Sequence, residues 1–351
     1  MNPRKKKAII FISCFLFIIL YLIFAAAPID STFKLNFKWS ISLSDAPISY
    51  EAGGIPFKSG QLLGYFSRNG NLNALTSFPY MASISKEAWA EYGANAENTP
   101  FYATDGSQLG IIKEAGFPWL TDKGNYLFLP GGTGFDRLDN EGNSLWRYED
   151  IAPITAFSNS SDGCIVGFAD GKLVTFKNDG TIEYSIYPAG SNFQVILGVD
   201  ISEENGLTAC VCGIDRQRFI LFKNTDGQNK IIYHEYLENN LREQTFVKFS
   251  KGSDKVFIND FNGLGIIDCK TLMSKHIPID GKIIAIEEQP ENDMFFVLTK
   301  KASLYSVYIF ENPSSKVGSF SFEATNAFIT ADGSDLFIGT DSTISKFEVT
   351  K

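Results

Sequence analysis

Histidine is almost missing from this 351-residue chain, which has only His234 and His276. Imidazole is the commonest metal ligand and the side chain that titrates near neutral pH, so most metal and acid–base sites are already disfavoured. Cysteine is sparse as well. The five cysteines, Cys14, Cys164, Cys210, Cys212 and Cys269, lack the dense spacing of a disulfide scaffold, and no two are adjacent. Cys210 and Cys212 alternate along an expected strand, on one face but too far apart to bond to each other comfortably. Outside Cys14 they read as small core residues, with a long-range disulfide in an oxidising compartment as the alternative. No Gly-x-Ser-x-Gly elbow occurs, so the α/β-hydrolase nucleophile arrangement has no support. Long runs of Ala, Leu, Glu and Lys at helical spacing are few, and helix is expected to be scarce.

Positive charge is short too. The net charge is −9. Four cations, Arg4 and Lys5 to Lys7, sit at the start, which leaves 27 Lys and Arg against 40 Asp and Glu for the rest, a net −13. Such a surface repels phosphate backbones, and no basic stripe offsets it, so nucleic acid is not expected as a partner.

One long stretch lacks charge altogether. Ala8 to Ala27 is an uncharged run that spans roughly 30 Å as a helix, the thickness of a hydrocarbon core. It reads as a transmembrane anchor (8–27) behind a cytoplasmic basic flank (1–7), followed by a short tether (28–32), with residues 33–351 outside the cytoplasm. A cleaved secretory signal ending at Ala25 to Ala27 is the alternative. That cut would leave Pro28 at the new N-terminus, and a lipoprotein site at Cys14 has too short an apolar stretch ahead of it. The localisation implied is a bacterial cytoplasmic membrane, single-pass, with the C-terminal domain periplasmic or extracytoplasmic.

What the chain has in abundance is strand and turn. It holds 31 Phe, 14 Tyr, 30 Gly and 13 Pro, the composition of short strands separated by tight turns. A unit of about 40 residues recurs, clearest in 153–187. Ile154 to Ser158, Cys164 to Phe168, Lys172 to Phe176 and Thr181 to Ile186 read as four strands. Asp162-Gly163, Asp170-Gly171 and Asn178-Asp179-Gly180 supply the turns, because Asp-Gly and Asn-Gly tolerate the positive φ a tight hairpin needs. First strands are expected near residues 47, 79, 117, 153, 195, 245, 282 and 324. The last unit has room for three strands only, and Phe33 to Leu43 is an alternating strand with no companion. Pairing the two would close a ring: an all-β propeller of eight four-stranded blades, with seven as the alternative count. A parallel β-helix and stacked β-sandwiches are the rival architectures, and neither accounts so directly for the three-strand ending.

The sequence resembles the quinoprotein-like (PQQ-repeat-like, WD40-like) branch of β-propellers. Asp162-Gly163, Gly171-Lys-Leu173 and Gly180-Thr-Ile-Glu-Tyr184 match the family unit, Gly142-Asn-Ser-Leu-Trp146 matches its Trp ending, and Trp39 supplies a second ending. The resemblance covers most of 33–351. It implies the architecture more than an activity, since it includes a membrane-associated scaffold subunit of the outer-membrane protein assembly machine as well as quinone-dependent dehydrogenases. The alcohol-oxidising dehydrogenases are expected to carry adjacent cysteines, which this chain lacks.

Other constellations resolve to turns. Gly131 to Gly134 is followed by a strand, not by the helix a phosphate loop needs, and Gly263-Leu-Gly265 is likewise followed by no helix. Glu149-Asp150, Glu203-Glu204 and Glu287-Glu288 read as solvated turn charge, and Asp200, Glu203, Glu204 and Asn205 lack the calcium-loop spacing. The sequence therefore nominates no catalytic, cofactor-binding or metal-ligating residue and no cofactor. The expectation is a non-enzymatic, membrane-tethered scaffold with envelope or membrane proteins as partners. Trp89, Tyr92, Trp119 and Arg216 are candidate anchors, and a small-ligand sensor using the channel or a quinoprotein-type oxidoreductase are the alternatives.

Overall fold

A computed structural model describes residues 33–350 apart from 50–52, 94–96, 189, 226–227, 239–241, 262 and 313–314, together with Cys14, Phe15, Phe17 and Tyr21. The basic flank, most of the anchor, the tether and the turn positions Asp226, Gly227 and Asn262 lie outside the described residues. Among the described residues no helix is long and apolar enough to cross a membrane.

Eight antiparallel sheets follow one another along the chain: blades 1 to 8 at residues 55–77, 81–112, 117–149, 154–186, 196–236, 247–278, 282–323 and 328–350. The expected blade starts fall within a few residues of these from blade 2 onward. In blades 2 to 7 the four strands run outward in sequence order, the first lying innermost. Inner strands of successive blades pack together, as Met81–Ile84 does on Phe117–Thr121 and Ile154–Asn159 on Ile196–Ile201. Ile55–Ser59 packs on both Phe328–Asp332 and Met81–Ile84. That double contact makes a closed ring of eight.

Closure uses the strand expected to provide it. Lys34–Ser42 lies antiparallel to Thr343–Thr350, from Lys34 opposite Thr350 to Ser42 opposite Thr343, with a bulge between Phe37 and Trp39. It forms the outermost strand of blade 8. Asn36 Nδ2 donates to Thr350 Oγ1 at 3.1 Å, and Lys38 pairs with Glu348 at 2.8 Å.

The Trp endings have a structural reason. Trp146, on the outermost strand of blade 3, lies over Gly180 in a turn of blade 4 and donates its indole N–H to Asn178 O at 2.8 Å. Gly180 has φ +85°, and a Cβ there would come within 2.8 Å of the indole, so both backbone and space require glycine. Trp39 does the same across the closure, over Gly70 with its N–H to Arg68 O at 3.2 Å. The outer rim of each of these blades is thereby keyed to its neighbour.

Blade 1 departs from the expectation. Among the described residues no strand starts near residue 47 and the blade has three strands, Ile55–Ser59, Leu62–Phe66 and Leu72–Ser77, with Ile48 making an isolated parallel bridge to Leu72. Pro47 lacks a ladder donor, and Gly53 and Gly54 both have positive φ, which a strand does not adopt. The inner strand Ile55–Ser59 also runs opposite to its neighbours. Its end, Ser59-Gly60, lies beside Thr340 and Asn326, next to the beginning of the inner strand of blade 8.

A belt of side-chain bonds ties the inner parts of the blades in order. Lys58 Nζ donates to Ala82 O at 2.8 Å, Leu120 N to Ser83 Oγ at 2.8 Å, and Asn159 Nδ2 to Thr121 Oγ1 at 2.9 Å. Asp200 takes Ser158 Oγ at 2.5 Å from blade 4 and Phe249 N at 2.6 Å from blade 6. Lys248 Nζ reaches Ile286 O at 2.8 Å, Ala331 N reaches Glu287 at 3.3 Å, and Arg68 reaches Asp332 O at 2.6 Å. Every blade is linked to the next. Replacing Asp200 by Ala strips an acceptor from two donors at once and should cost about 2 to 3 kcal/mol, at about 1 to 3 per orphaned buried group. Urea unfolding of the two proteins checks this, and the conservative Asp200→Asn should lose less.

Candidate functional site

Two faces of the ring differ in chemistry. On one, the hairpin face, the first strands of blades 2 to 7 turn into second strands and third into fourth, largely through Gly turns with polar neighbours such as Asp105-Gly106 and Asp179-Gly180. On the other, the connection face, second strands turn into third strands and each blade crosses to the next. Large apolar side chains crowd the connection face: Ile151 is 97% exposed, Phe193 65% and Phe261 61%, with Tyr80, Tyr187 and Tyr236 also exposed. Among the described turn residues of the hairpin face, Met273 is the large hydrophobe in the open. Exposed apolar surface gathered on one side of a molecule marks interaction.

A concavity of the connection face lies across blades 5, 6 and 7. A cavity of about 380 Å³ is lined by Tyr236, Glu238, Asp260, Phe261 and His276 among others. A second, of about 690 Å³, shares Asp260, Phe261 and Pro278 with it. Phe261 sits in the turn after Lys255–Asp260 and walls both. Glu235 ends up beside them because Gln228–Tyr236 is the outermost strand of blade 5, and His276 because Ser274–Pro278 is the outermost strand of blade 6.

His276 lies between two carboxylates. Its Nδ1 is 2.8 Å from Asp260 and its Nε2 is 3.5 Å from Glu235, which also accepts Tyr233 OH at 2.9 Å. Burial pulls the imidazole pKa down, but Asp260 and Glu235 outweigh it and hold the pKa above its ordinary value. Both ring nitrogens face carboxylates, so the group is built to hold a charge across blades 5 and 6 rather than to pass a proton on. A histidine whose folded pKa is raised adds stability that is full below its unfolded pKa, about 6.5, and is lost as pH rises through the folded value. His276→Gln should therefore lower the melting temperature most below about pH 6.5 and converge on the parent as pH rises above the folded value. With 42% of the side chain exposed, solvent screening keeps this to about 0.5 to 1 kcal/mol. Melting curves at pH 5.5 and 9 decide it.

The other residues singled out by sequence scatter. Trp89 is buried, stacked on Tyr102 at 4.4 Å with its N–H on Ala103 O, so it is core and not a surface anchor. Tyr92 is half-buried against Phe117. Trp119 packs with Tyr126, Phe128 and Phe157 and walls a cavity of about 300 Å³ on the inner side of blades 3 to 6, where Gln244 donates to Thr155 O at 2.9 Å. Arg216 is the exposed one, its guanidinium 4.4 Å from the centre of the Tyr236 ring, beside the cleft. His234 is exposed next to Tyr236.

Asp200, Glu203, Glu204 and Asn205 do not converge. Asp200 is spent on the belt, where burial pushes its carboxyl pKa up against the hydrogen bonds from Ser158 and Phe249, and Glu203 engages Lys123 and Ser161 N. Among the described residues no group of three or more His, Cys, Asp or Glu is placed to hold a metal ion. The paired acids are also less solvated than expected. Asp150, just past the outermost strand of blade 3, binds Lys172 of blade 4 at 2.6 Å, while Glu287 and Glu288 lie within the inner strand of blade 7, where neighbouring blades converge, and take Ala331 N and Lys251 N. Gly131 to Gly134 forms the expected hairpin, with Leu129 N on Gly134 O, and Gly263-Leu-Gly265 lies within a strand. Cys164, Cys210, Cys212 and Cys269 are all free thiols; burial pushes those of Cys164 and Cys269 up to about 12.

The fold and its two unlike faces define an eight-bladed β-propeller. The chain belongs to the beta-propeller protein family, whose match runs over residues 1–351. An uncharacterized protein from Treponema pallidum (strain Nichols) is 33% identical over 361 residues, covering 99% of this chain and 96% of that one. Among solved structures, BamB from Moraxella catarrhalis superposes with a TM-score of 0.62 at 11% identity, covering 90% of this chain and all of that chain. A chain of the Mitotic Checkpoint Complex gives 0.56 at 11% identity (93% and 95% covered), and the computationally designed Ika8 protein 0.60 at 12% (88% and 99%). At these identities the structural likeness is one of fold alone.

Proposed function

We propose that this chain is a non-enzymatic scaffold for protein–protein interaction, a quinoprotein-like propeller tethered by residues 8–27 to the outer face of a bacterial cytoplasmic membrane, with other envelope or membrane proteins as its partners. The observation that carries the reading is the one-sided distribution of exposed apolar side chains, on a ring made rigid by strand closure and the inter-blade belt. The direction of the chain adds to it. Lys34 lies opposite Thr350, at the hairpin-face end of the closing strand, so an anchor ahead of it leaves the apolar connection face turned away from the bilayer. A tether of this kind confines the search for partners to the membrane surface and raises their effective concentration. One chain of like fold belongs to the Mitotic Checkpoint Complex, which agrees with this use of the fold.

Crosslinking in intact cells with identification of the products tests the scaffold. A recurring envelope or membrane protein is expected, and a chain that is never captured with a partner contradicts the reading. Alkaline extraction of membranes tests the tether: the full chain should stay in the pellet and a chain lacking residues 1–32 should not.

The cavity walled by Trp119 favours a second reading, a small-ligand sensor. Ligand-dependent melting that Trp119→Ala abolishes would favour it over the scaffold.

A further inference from the structure

Among the described residues blade 1 has no first strand. Its hairpin from Leu62–Phe66 to Leu72–Ser77 has the geometry of a third-to-fourth hairpin. Ser67 N donates to Asn71 O and Gly70 N to Ser67 O, as Lys177 N does to Thr181 O and Gly180 N to Lys177 O in blade 4. The bulge between Tyr65 and Phe66 matches the one between Thr175 and Phe176. Trp39 covers Gly70 from blade 8 as Trp146 covers Gly180 from blade 3, which sets the two hairpins at the same place on the rim. Ile55–Ser59 therefore corresponds to a second strand, and its direction is that of a second strand. In blades 2 to 8 the inner edge of the second strand is paired with a first strand, and in blade 1 no described strand pairs with it.

That edge has a defined chemistry. Gly60-Gln61 is a two-residue turn with Gly60 at φ +58°, so Ser59 and Leu62 form its closing hydrogen-bonded pair. Alternation turns the backbone groups of Ile55, Phe57 and Ser59 toward Leu62–Phe66 and those of Pro56 and Lys58 toward the axis. Pro56 brings no N–H, as befits an edge, and the edge offers Pro56 O, Lys58 N–H and Lys58 O. Lys58 Nζ donates to Ala82 O at 2.8 Å and pairs with no carboxylate among the described residues, while burial pulls its pKa down. The chain's own ends are badly placed to fill the position. Phe33, where residues 1–32 end, lies against Gly318 on the outermost strand of blade 7. The stretch 50–52 is flanked by Ser49, bonded to Leu72 O, and Gly53, bonded to Thr104 Oγ1.

We infer that the inner edge of blade 1 receives an extended segment of a partner protein, which completes the sheet as its first strand. The segment runs antiparallel to Ile55–Ser59, as the first strands of the other blades run to their second strands. Lys58 N–H donates to it, its own N–H groups donate to Lys58 O and Pro56 O, and an acidic side chain opposite Lys58 answers the unpaired cation. Entry is from the connection face, which the tether leaves turned away from the bilayer. The inference rests on the scaffold reading and names the contact by which the ring holds a partner.

The test compares the assembly extracted from membranes in mild detergent with the same full chain purified free of partners, by hydrogen exchange resolved at Lys58. The Lys58 amide should exchange fast in the isolated chain and at least about tenfold slower in the assembly. Lys58→Gln keeps the backbone donor and Lys58→Pro deletes it. With melting temperatures verified as parental, the yield of assembly should fall a few-fold at most in the first and about tenfold or more in the second. If Lys58→Pro does not fold, the exchange measurement decides alone. Equal yields from the two folded variants overturn the inference. So does slow exchange in the isolated chain, which means that its own residues cover the edge, and so does protection that grows with the concentration of purified chain, which assigns the edge to a second copy. Fast exchange in an intact assembly removes this contact and leaves the scaffold standing. A chain that is always extracted alone removes both.

Discussion

A chain that begins at Ser44 will melt far below one that begins at Phe33, or will not fold as a ring at all. Lys34–Ser42 supplies a whole outer strand of blade 8, and with it Trp39, which lies against Phe66 of blade 1 and Phe337 of blade 8. Each lost backbone hydrogen bond removes about 1 kcal/mol, and each lost large apolar contact about 1.5 to 3 kcal/mol. The sum exceeds about 5 kcal/mol, within the range of an entire domain's stability. Deleting residues 1–32 removes none of these contacts and should leave a soluble propeller. Urea titration of the proteins starting at Phe33 and at Ser44 measures the gap, and equal midpoints would mean that the closing strand closes nothing.

Phe135→Ala should be the most damaging single change. Phe135 is fully buried, and its ring packs within 6.4 Å, centre to centre, of Tyr126, Phe128, Trp146, Tyr148, Phe157 and Phe176, so it joins blade 3 to blade 4. Truncating a buried Phe costs about 3 to 5 kcal/mol through lost transfer energy and the cavity left behind. The upper end applies here, because six rings cannot all collapse into one void. Phe135→Leu should recover part of the loss by refilling volume. Near-parental stability of Phe135→Ala in a urea titration would show that the aromatic joint between the blades does not hold them together.

The ring was readable in the sequence because its determinants are local. Asp-Gly and Asn-Gly mark turns, most of them hairpins, and period-2 apolar strands lie between them, so blades 2 to 8 could be placed within a few residues. Closure was readable for a different reason: a strand with no companion at one end and a gap at the other must find each other. Blade 1 was not readable. The reversal of Ile55–Ser59, and the isolated bridge at Ile48 in place of a ladder, depend on how blades 8 and 2 approach, which no local pattern records. Trp89 failed as a surface anchor because a strand Trp looks the same in sequence whether its ring stacks on Tyr102 in the core or faces solvent.

The cleft escaped for a related reason. Glu235, Asp260 and His276 come from three strands of two blades, and their meeting is purely tertiary. One local signal existed in Asn259-Asp260-Phe261-Asn262-Gly263, a polar turn with a phenylalanine in it. A large apolar residue where the turn chemistry asks for none is a mark of surface use. Ile151 and Phe193, both in blade-to-blade connections, carry the same mark.

The central claim is that the connection face exists to hold other proteins, and the native mass of the chain tests it most directly. Membranes extracted with a mild detergent should yield the protein in an assembly well above its own 38.9 kDa, containing at least one different protein in fixed ratio. Polar substitution of Ile151, Phe193 and Phe261 together should release it as a folded monomer. A wild-type chain that leaves the membrane alone, at the mass of one copy, contradicts the account.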